Sequence, residues 1–257
     1  MLAALIAGLA ALGVITGSFL NVVVYRMPRG LSIVWPGSFC PQCAAPLAPW
    51  ENIPVVSYLI LRGTCRHCGS EISLRYPILE LLTGALFAAN AAKFRFSLAL
   101  PAYEVLAAGL VALGAIDFER RILPKQIVGV VGGGVAGFLL ASSAKDGSWH
   151  RIVVAFASAG AWFLVYAVIY MLDSRFLGFG DVRLVAVLGF ALGWLGVGYV
   201  IAGFVIANLI GAVTGLTLIA LGRATRKTSI PFGPFLASGC EIAVLVGSFL
   251  LSPFHGL

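Results

Sequence analysis

LGFGDVRL, residues 177–184, places a carboxylate, Asp181, at the start of an apolar segment that reads as a membrane-spanning helix. An Asp at the centre of such a helix costs about 2.5 to 3.5 kcal/mol on insertion scales, so it is normally kept where it faces water, a partner or a substrate. A second acid, Asp117, ends another apolar run at residues 110–117. If the fold brings these two ends together, the acids form a carboxylate pair, which we take as the centre of the protein.

The composition places the chain outside the range of soluble domains. Of its 257 residues, 60% are hydrophobic and 11% are charged, and the mean hydropathy is +1.02. These values predict an all-α polytopic membrane protein in a lipid bilayer. The first apolar run has no basic segment before it, so we interpret it as a retained helix and not as a removed signal. The net charge of +7 is not gathered into a basic patch with interleaved aromatic residues, which argues against nucleic acid as a partner.

The apolar runs divide the chain into about eight transmembrane helices with short polar connections. Thirteen of the seventeen Lys and Arg residues fall in the odd-numbered connections, which the positive-inside rule makes cytoplasmic. Both termini would then lie outside, and Asp117 and Asp181 would lie at one depth near the cytoplasmic face. We divide the chain into transmembrane helix 1 at residues 1–25, a cytoplasmic domain at residues 26–75 and a seven-helix membrane core at residues 76–257.

The predicted cytoplasmic domain carries four of the five cysteines. Cys40 and Cys43, followed by Cys65 and Cys68, form two C-x2-C pairs separated by twenty-one residues. Each pair can turn two thiolates toward one tetrahedral cation, so the two pairs predict a four-thiolate, zinc-ribbon-like site. Disulfides are the alternative, but thiols stay reduced in the cytoplasm. A closed four-thiolate site has no open position for water, so the predicted Zn²⁺ is structural.

Three other side chains are weaker site candidates. His67 lies between two predicted ligands and could replace one, although a solvated side chain is the simpler interpretation. Cys240 lies alone in a late apolar run and is most simply a small buried residue. Asn21 follows small residues in GSFLN, and an interhelical hydrogen bond in ordinary helix packing is favoured over a role in a site.

Two further stretches border these candidates. WENIPVVSYL at residues 50–59 could be the wall of a small-molecule cleft or a segment that lies on the lipid surface. IPFGPFLA at residues 230–237 places two prolines at the membrane mouth. Irregular backbone at that depth is tolerated beside protein or a water-filled cavity, so we expect this element to wall the site.

The chemistry of a carboxylate pair permits two kinds of function. Two carboxyl groups a few ångströms apart cannot both ionise cheaply, so the pair holds one proton. The ionised member can take a proton from water while the protonated member polarises a scissile carbonyl, which is the division of labour in aspartic proteases. Acids inside a membrane protein also relay protons in transporters. From this chemistry alone, relay or transport is favoured over hydrolysis.

The chain resembles the type IV prepilin leader peptidases, which belong to the Gly-x-Gly-Asp intramembrane aspartyl proteases, peptidase family A24. The motifs that carry the resemblance run along nearly the whole chain. They are GSFLNVVVYRMP from residue 17, CPQC and CRHC from residues 40 and 65, WENIPVVSYL from 50, RYPILELLTG from 75, AIDFERRILP from 115, GFGDVRL from 178 and PFGPFLA from 231. Each motif alone is modest, but together in this order they are highly specific.

The resemblance implies a bifunctional enzyme of the bacterial inner membrane whose active site faces the cytoplasm. It would cleave a short basic leader, after a Gly, from prepilins of type IV pili or pseudopilins of type II secretion. It would then methylate the new N-terminal amine, with S-adenosylmethionine as the methyl donor. By position, the resemblance implies that Asp117 and Asp181 are catalytic, that the four cysteines of the two C-x2-C pairs bind zinc, and that Gly63 is linked to methylation.

The chain departs from the family pattern at a few points. Many members carry Asp where this chain has Lys125 and Lys where it has Arg183, and some have a longer insertion ahead of the first cysteine pair. None of these departures touches the two aspartates. The shorter cytoplasmic domain leaves a peptidase without methyltransferase activity as one alternative. The other alternative is a zinc-domain membrane transporter or scaffold whose acids relay protons.

Overall fold

The computed structural model describes residues 1–172, 178–223, 225, 228 and 230–251. These residues form helices and connecting turns, with no β-strand among them. The α-helices are α1 (Leu2–Arg26), α2 (Val56–Ile60), α3 (Arg75–Phe94), α4 (Leu100–Arg120), α5 (Lys125–Asp146), α6 (Trp149–Leu172), α7 (Phe179–Leu195), α8 (Val197–Ala220) and α9 (Gly233–Leu251). Of the basic residues counted for topology, Arg175, Arg226 and Lys227 lie outside the described residues.

Five helical segments of the described chain are long and apolar enough to cross a membrane, which makes this a multi-pass membrane protein. They are Leu2–Arg29, Leu100–Arg120, Lys125–Asp146, Trp149–Leu172 and Val197–Ala220. The predicted count of eight spans is not confirmed, because α3, α7 and α9 are shorter or less apolar than these five segments. Helix α3 carries charged residues near both ends, α7 has only 17 residues, and α9 contributes a shorter apolar stretch. A straight helix needs about 20 apolar residues to span the hydrocarbon core.

The chain divides into two compact units, Met1–Phe96 and Ser97–Leu257. In the first unit, α1 packs along α3 through small residues. A Cβ added at Gly17 would lie 2.6 Å from the Glu80 Cα, and one at Gly84 would lie 2.6 Å from the Val14 side chain. Because Gly17 and Gly84 have no side chain, the two helix backbones can approach closely at these points. The domain boundaries drawn from the sequence, at residues 25 and 75, stay a prediction.

In the second unit, α4 lies at the centre, packed against α5 and α9, and most of its residues are buried. Helix α6 packs on α7, and α8 packs on α9. Buried polar side chains tie the layers together. The Tyr103 hydroxyl of α4 donates to the Ala191 carbonyl of α7 at 2.9 Å, and the Trp194 indole N–H of α7 donates to the Ser143 hydroxyl of α5 at 2.8 Å. Such bonds fix the order of the helices, because an unpaired polar group inside a membrane is costly.

Candidate functional site

Asp117 lies in the last turn of α4 and is 6% exposed. Its Oδ2 atom accepts a hydrogen bond of 2.9 Å from the backbone N–H of Gly233, the first residue of α9. The two residues are so close that a Cβ at Gly233 would lie 2.7 Å from this oxygen. The segment at residues 230–237 therefore borders Asp117, and glycine is the residue that fits there.

Asp181 lies in the first turn of α7 and is 9% exposed. Its Oδ2 atom accepts a hydrogen bond of 3.1 Å from the backbone N–H of Gly178, the residue before the helix, so the acid folds back over the N-terminus of its own helix. Its Oδ1 atom is buried and accepts no hydrogen bond from the described residues. A Cβ at Gly180 would lie 2.8 Å from the Leu123 Cβ, which shows how closely this turn approaches the chain that follows α4.

The two acids are 64 positions apart in sequence but lie within electrostatic range of each other. They lie in the same unit, and their side chains are near enough to interact electrostatically. Tyr166 of α6 is also within electrostatic range of Asp181, and its ring lies 6.5 Å from the ring of Phe232, which precedes Gly233. We name Asp117, Asp181 and Tyr166 the acidic cluster. Tyr166 was not a candidate from the sequence, where the one signal was a phenol in the middle of an apolar helix.

The first unit holds the four predicted zinc ligands, which we name the cysteine cluster: Cys40, Cys43, Cys65 and Cys68. Their sulfur atoms all lie within 4.8 Å of one another, and no cysteine of the described chain forms a disulfide. Four sulfurs at this spacing could bind one metal ion, for which Zn–S distances of about 2.3 Å are typical. His67 is exposed and does not belong to the cluster.

The two cysteine pairs are built by matching backbone turns. In the first turn, the Cys40 N–H donates to the Ala45 carbonyl, and the Ala44 N–H donates back to the Cys40 carbonyl, both at 2.9 Å. In the second turn, the Cys65 N–H donates to the Ser70 carbonyl at 2.8 Å, and the residue before Ser70 donates to the Cys65 carbonyl at 2.9 Å. Both turns are completed by a residue with positive φ, at residues 44 and 69. Each turn therefore presents two thiols from a few residues of chain.

The same turns prepare thiolates for a cation. Burial raises the pKa of the Cys40 thiol, but hydrogen bonds from the backbone N–H groups of Cys43 and Gln42 outweigh burial and lower this pKa to about 6. A backbone hydrogen bond from Ala45 also favours the Cys43 thiolate, yet the neighbouring thiols raise the pKa of Cys43 to about 11. This repulsion between thiolates is the effect that a bound dication removes.

The structure also places the three remaining candidates from the sequence, which are Gly63, Asn21 and Cys240. Gly63 is buried with φ of +70°, and a Cβ there would lie 2.9 Å from the Tyr58 hydroxyl. Asn21 is 2% exposed, and its side-chain amide donates to the Tyr76 carbonyl of α3 at 3.1 Å, which is the kind of interhelical bond that its sequence context predicts. Cys240 is 1% exposed in α9 and, as expected, is a small buried residue.

Comparisons with known proteins identify the family. Residues 11–94 match the model of the bacterial peptidase A24 N-terminal domain, and residues 104–219 match the model of the type IV leader peptidase family. A Bacillus subtilis protein is 36% identical over 240 residues, which cover 93% of this chain and 94% of that protein. The chain belongs to the type IV leader peptidase family. The resemblance read from the motifs is therefore confirmed, and no solved structure matches the chain significantly.

Two further members of the type IV leader peptidase family extend the match. A Burkholderia pseudomallei protein is 35% identical over 95% of this chain and 85% of its own length. A Pseudomonas aeruginosa protein is 33% identical over 92% of this chain and 88% of its own length. All three relatives carry the name prepilin leader peptidase/N-methyltransferase. The cysteine cluster falls in the region matched by the first family model, and both aspartates fall in the region matched by the second.

Proposed function

We propose that this protein is a membrane aspartic endopeptidase that cleaves the leader from type IV prepilins or type II secretion pseudopilins and then N-methylates the new N-terminus. The observation that carries the peptidase half is the juxtaposition of two buried carboxylates, Asp117 and Asp181, from separate helices. The names of the relatives support both activities. S-Adenosylmethionine is the methyl donor that the second activity needs.

The arrangement of the acids supports the proposed hydrolysis. In each acid, one oxygen is held by a backbone N–H, that of Gly233 for Asp117 and that of Gly178 for Asp181. Two carboxyl groups placed together hold one proton between them. The ionised acid accepts a proton from water as the water attacks the scissile carbonyl, and the protonated acid donates to the carbonyl oxygen. Collapse of the tetrahedral intermediate returns a proton to the leaving amine and regenerates the pair.

We propose that the cysteine cluster binds a structural Zn²⁺. The donor set supports this choice, since four thiolates in two C-x2-C turns are a common closed tetrahedral site for zinc. When bound, the ion would fasten two turns that otherwise share little apolar core. The folding of this region would then depend on the metal. A closed site has no position for water, so hydrolysis is assigned to the acids.

We propose an orientation in which the acidic cluster opens to the cytoplasm of a bacterial cell and both termini lie outside its inner membrane. The distribution of Lys and Arg supports this orientation. In particular, Arg120 is the last residue of α4 and Arg121 follows it, at the end of the helix that carries Asp117. A substrate leader that is short and basic would meet this face before translocation of the pilin.

The test is incubation of the purified protein in detergent with a synthetic prepilin peptide, with and without S-adenosylmethionine, followed by mass spectrometry. We expect loss of the leader in both reactions and the added mass of one methyl group only in the second. Cleavage without methylation would support the peptidase-only alternative. Neither change, together with proton flux in liposomes, would favour the transporter alternative and overturn the proposal.

A further inference from the structure

The first unit contains a cavity of about 390 Å³ between α1, the start of α3 and the segment that carries the cysteines. Ligand pockets for small molecules typically measure about 300 to 1,000 Å³, so this cavity suits one nucleoside-sized molecule and is too small for a pilin helix. Residues 50–59, which could be a cleft wall or a lipid-surface segment from sequence alone, contribute Glu51, Asn52, Ser57 and Tyr58 to its lining. We name this space the unit 1 cavity.

The lining of the unit 1 cavity combines aromatic rings with charges of both signs. Tyr58 and Tyr76 are half-buried, Glu80 is 7% exposed, and Arg75 stands at the start of α3. One Glu80 oxygen is oriented by a hydrogen bond of 2.7 Å from the Val55 backbone N–H. This set suits a zwitterion that also carries an aromatic base and a cation, rather than an apolar ligand.

Each part of S-adenosylmethionine has a matching group in this lining. Aromatic faces attract cations, which suits the sulfonium, and they also stack on a nucleobase. Carboxylates such as that of Glu80 accept hydrogen bonds from ribose hydroxyls, as in dinucleotide sites. The guanidinium of Arg75 suits the carboxylate of the methionine part. The fit is therefore one of chemistry as well as of size.

Gly63 does not line the cavity itself, but it packs against Tyr58, which does. Its φ is +70°, and a Cβ there would lie 2.9 Å from the Oη atom and 3.1 Å from the Cζ atom of Tyr58. The Gly63 N–H donates to the Tyr58 carbonyl at 2.9 Å, and the Gly63 carbonyl accepts from the Ile72 N–H at 2.7 Å. Any side chain at this position would push the Tyr58 ring out of its place in the wall.

We propose that the unit 1 cavity binds S-adenosylmethionine, with Tyr58 in contact with the methyl donor and Gly63 as the residue that positions Tyr58. This inference rests on the proposed methyltransferase function. It adds the location of the donor and a physical reason for the role of Gly63, which the family resemblance implies without explaining. Cys40 and Cys65 also line the cavity, so a metal ion held by the cysteine cluster would support its wall.

The test measures binding of labelled S-adenosylmethionine to the full-length protein by equilibrium dialysis, with zinc content and leader cleavage measured in parallel. We expect Gly63→Ala and Tyr58→Ala to weaken binding at least about tenfold while zinc and cleavage are retained, since one displaces and the other removes a stacked ring. Gly30→Ala is the matched control, because Gly30 has a similar φ of +67° and no described atom within 4 Å of an added Cβ. It should bind the donor as the unaltered protein does.

The double variant distinguishes positioning from a general loss of structure. If Gly63 acts through Tyr58, then Gly63→Ala should add no further loss of binding once Tyr58 is already Ala. Losses that multiply in the double variant would overturn the positioning role. Normal binding by Tyr58→Ala and Glu80→Gln, in a protein that still methylates, would overturn the cavity proposal alone. Absence of both binding and methylation in the unaltered protein would overturn the methyltransferase function itself.

A second experiment uses the unaltered protein, so its result does not depend on whether the variants fold. Ultraviolet crosslinking of bound S-adenosylmethionine, followed by peptide mapping, should label peptides that contain Tyr58 or Tyr76. Label confined to residues 97–251 would contradict the proposal. An excess of S-adenosylhomocysteine should abolish the label, and an excess of prepilin leader peptide should leave it unchanged. Displacement by the leader peptide alone would instead identify the cavity as a leader site.

Discussion

The cysteine cluster and the acidic cluster are assembled in opposite ways. Each half of the cysteine cluster is a local turn closed by backbone hydrogen bonds between residues at most five positions apart, as from Cys40 to Ala45. The acidic cluster has one local contact, from the Gly178 N–H to Asp181, and is otherwise assembled from distant parts of the chain. Asp117 and Asp181 lie on separate helices, and the N–H that holds Asp117 belongs to Gly233, 116 positions further along the chain.

This difference teaches what each site depends on. A turn that presents two thiols needs only its own few residues, and a metal ion bound by all four thiols would join two such turns. The carboxylates depend instead on how α4, α7 and α9 pack against one another. Their placement has to be accurate, because a displacement of about 1 Å can cost about a hundredfold in rate. The cysteine cluster should therefore respond to loss of metal, and the acidic cluster to small changes in helix packing.

The largest expected effect comes from removing one carboxylate while keeping its shape. Asp117→Asn and Asp181→Asn should each lower the rate of leader cleavage by about a thousandfold or more, because the two acids act as one unit in proton transfer. Zinc content and S-adenosylmethionine binding should stay unchanged. The measurement is the cleavage rate of a synthetic prepilin peptide in detergent. Asp146→Asn is the matched control, since Asp146 is exposed at the end of α5, and retained cleavage in either site variant would refute the pairing.

The next effect separates the two clusters by removing the metal. Cys65→Ser should lose bound zinc, and methylation should fall at least about tenfold, because the metal supports the folding of its region. Leader cleavage should fall by a smaller factor, since it depends on the acids of the second unit. Elemental analysis of the purified protein gives the zinc content. Cys240→Ser keeps the cluster intact and should retain zinc, so equal zinc loss in both variants would contradict the four-thiolate assignment.

The same contrast explains which parts of the two sites could be predicted from the sequence. The spacing of the two C-x2-C pairs predicts a cluster because it reflects local turns, and the structure places all four sulfurs together. The acidic residues could be chosen as candidates, since an acid in an apolar run is unusual. Their proximity could not be predicted, because it depends on how separate helices pack and no local sequence pattern encodes that packing. For the same reason Tyr166 was missed, as its neighbours Phe204 and Phe232 are distant in sequence.

The count of eight membrane spans stays a prediction. Hydropathy identifies apolar runs, but α7 ends at Leu195 after 17 residues, and α8 begins two residues later at Val197. Gly196, with φ of +139°, makes that sharp break. A short helix between buried neighbours can be apolar without crossing a bilayer unaided.

The family resemblance supplied the activity, whereas physical reasoning on the acids alone favoured transport.

A smaller effect probes how closely the acidic cluster is packed. Gly233→Ala should lower leader cleavage about tenfold to a hundredfold, because the added Cβ would lie 2.7 Å from the Asp117 Oδ2 atom and displace the acid or its hydrogen bond. The effect should appear mainly in kcat, and zinc content should not change. Gly137→Ala is the control, since a Cβ there meets no described atom within 4 Å and alanine favours a helix. Equal rates for the two variants would show that the close contact is unimportant.

The smallest expected effect lies beside the cysteine cluster, where Arg66 pairs with Glu51 at 3.2 Å and its guanidinium stands 5.2 Å from the centre of the Trp50 ring. The Arg66 side chain is 48% exposed, so solvent screens the pair, and Arg66→Gln should lower the free energy of unfolding by at most about 1 kcal/mol. Thermal unfolding measures this change, and zinc content and leader cleavage should stay unchanged. Glu51 is 1% exposed and also accepts the Ala48 N–H at 2.7 Å, so Glu51→Ala should destabilise the protein more. If Arg66→Gln released the zinc, the turns would depend on a side-chain pair, and the local character of this site would be wrong.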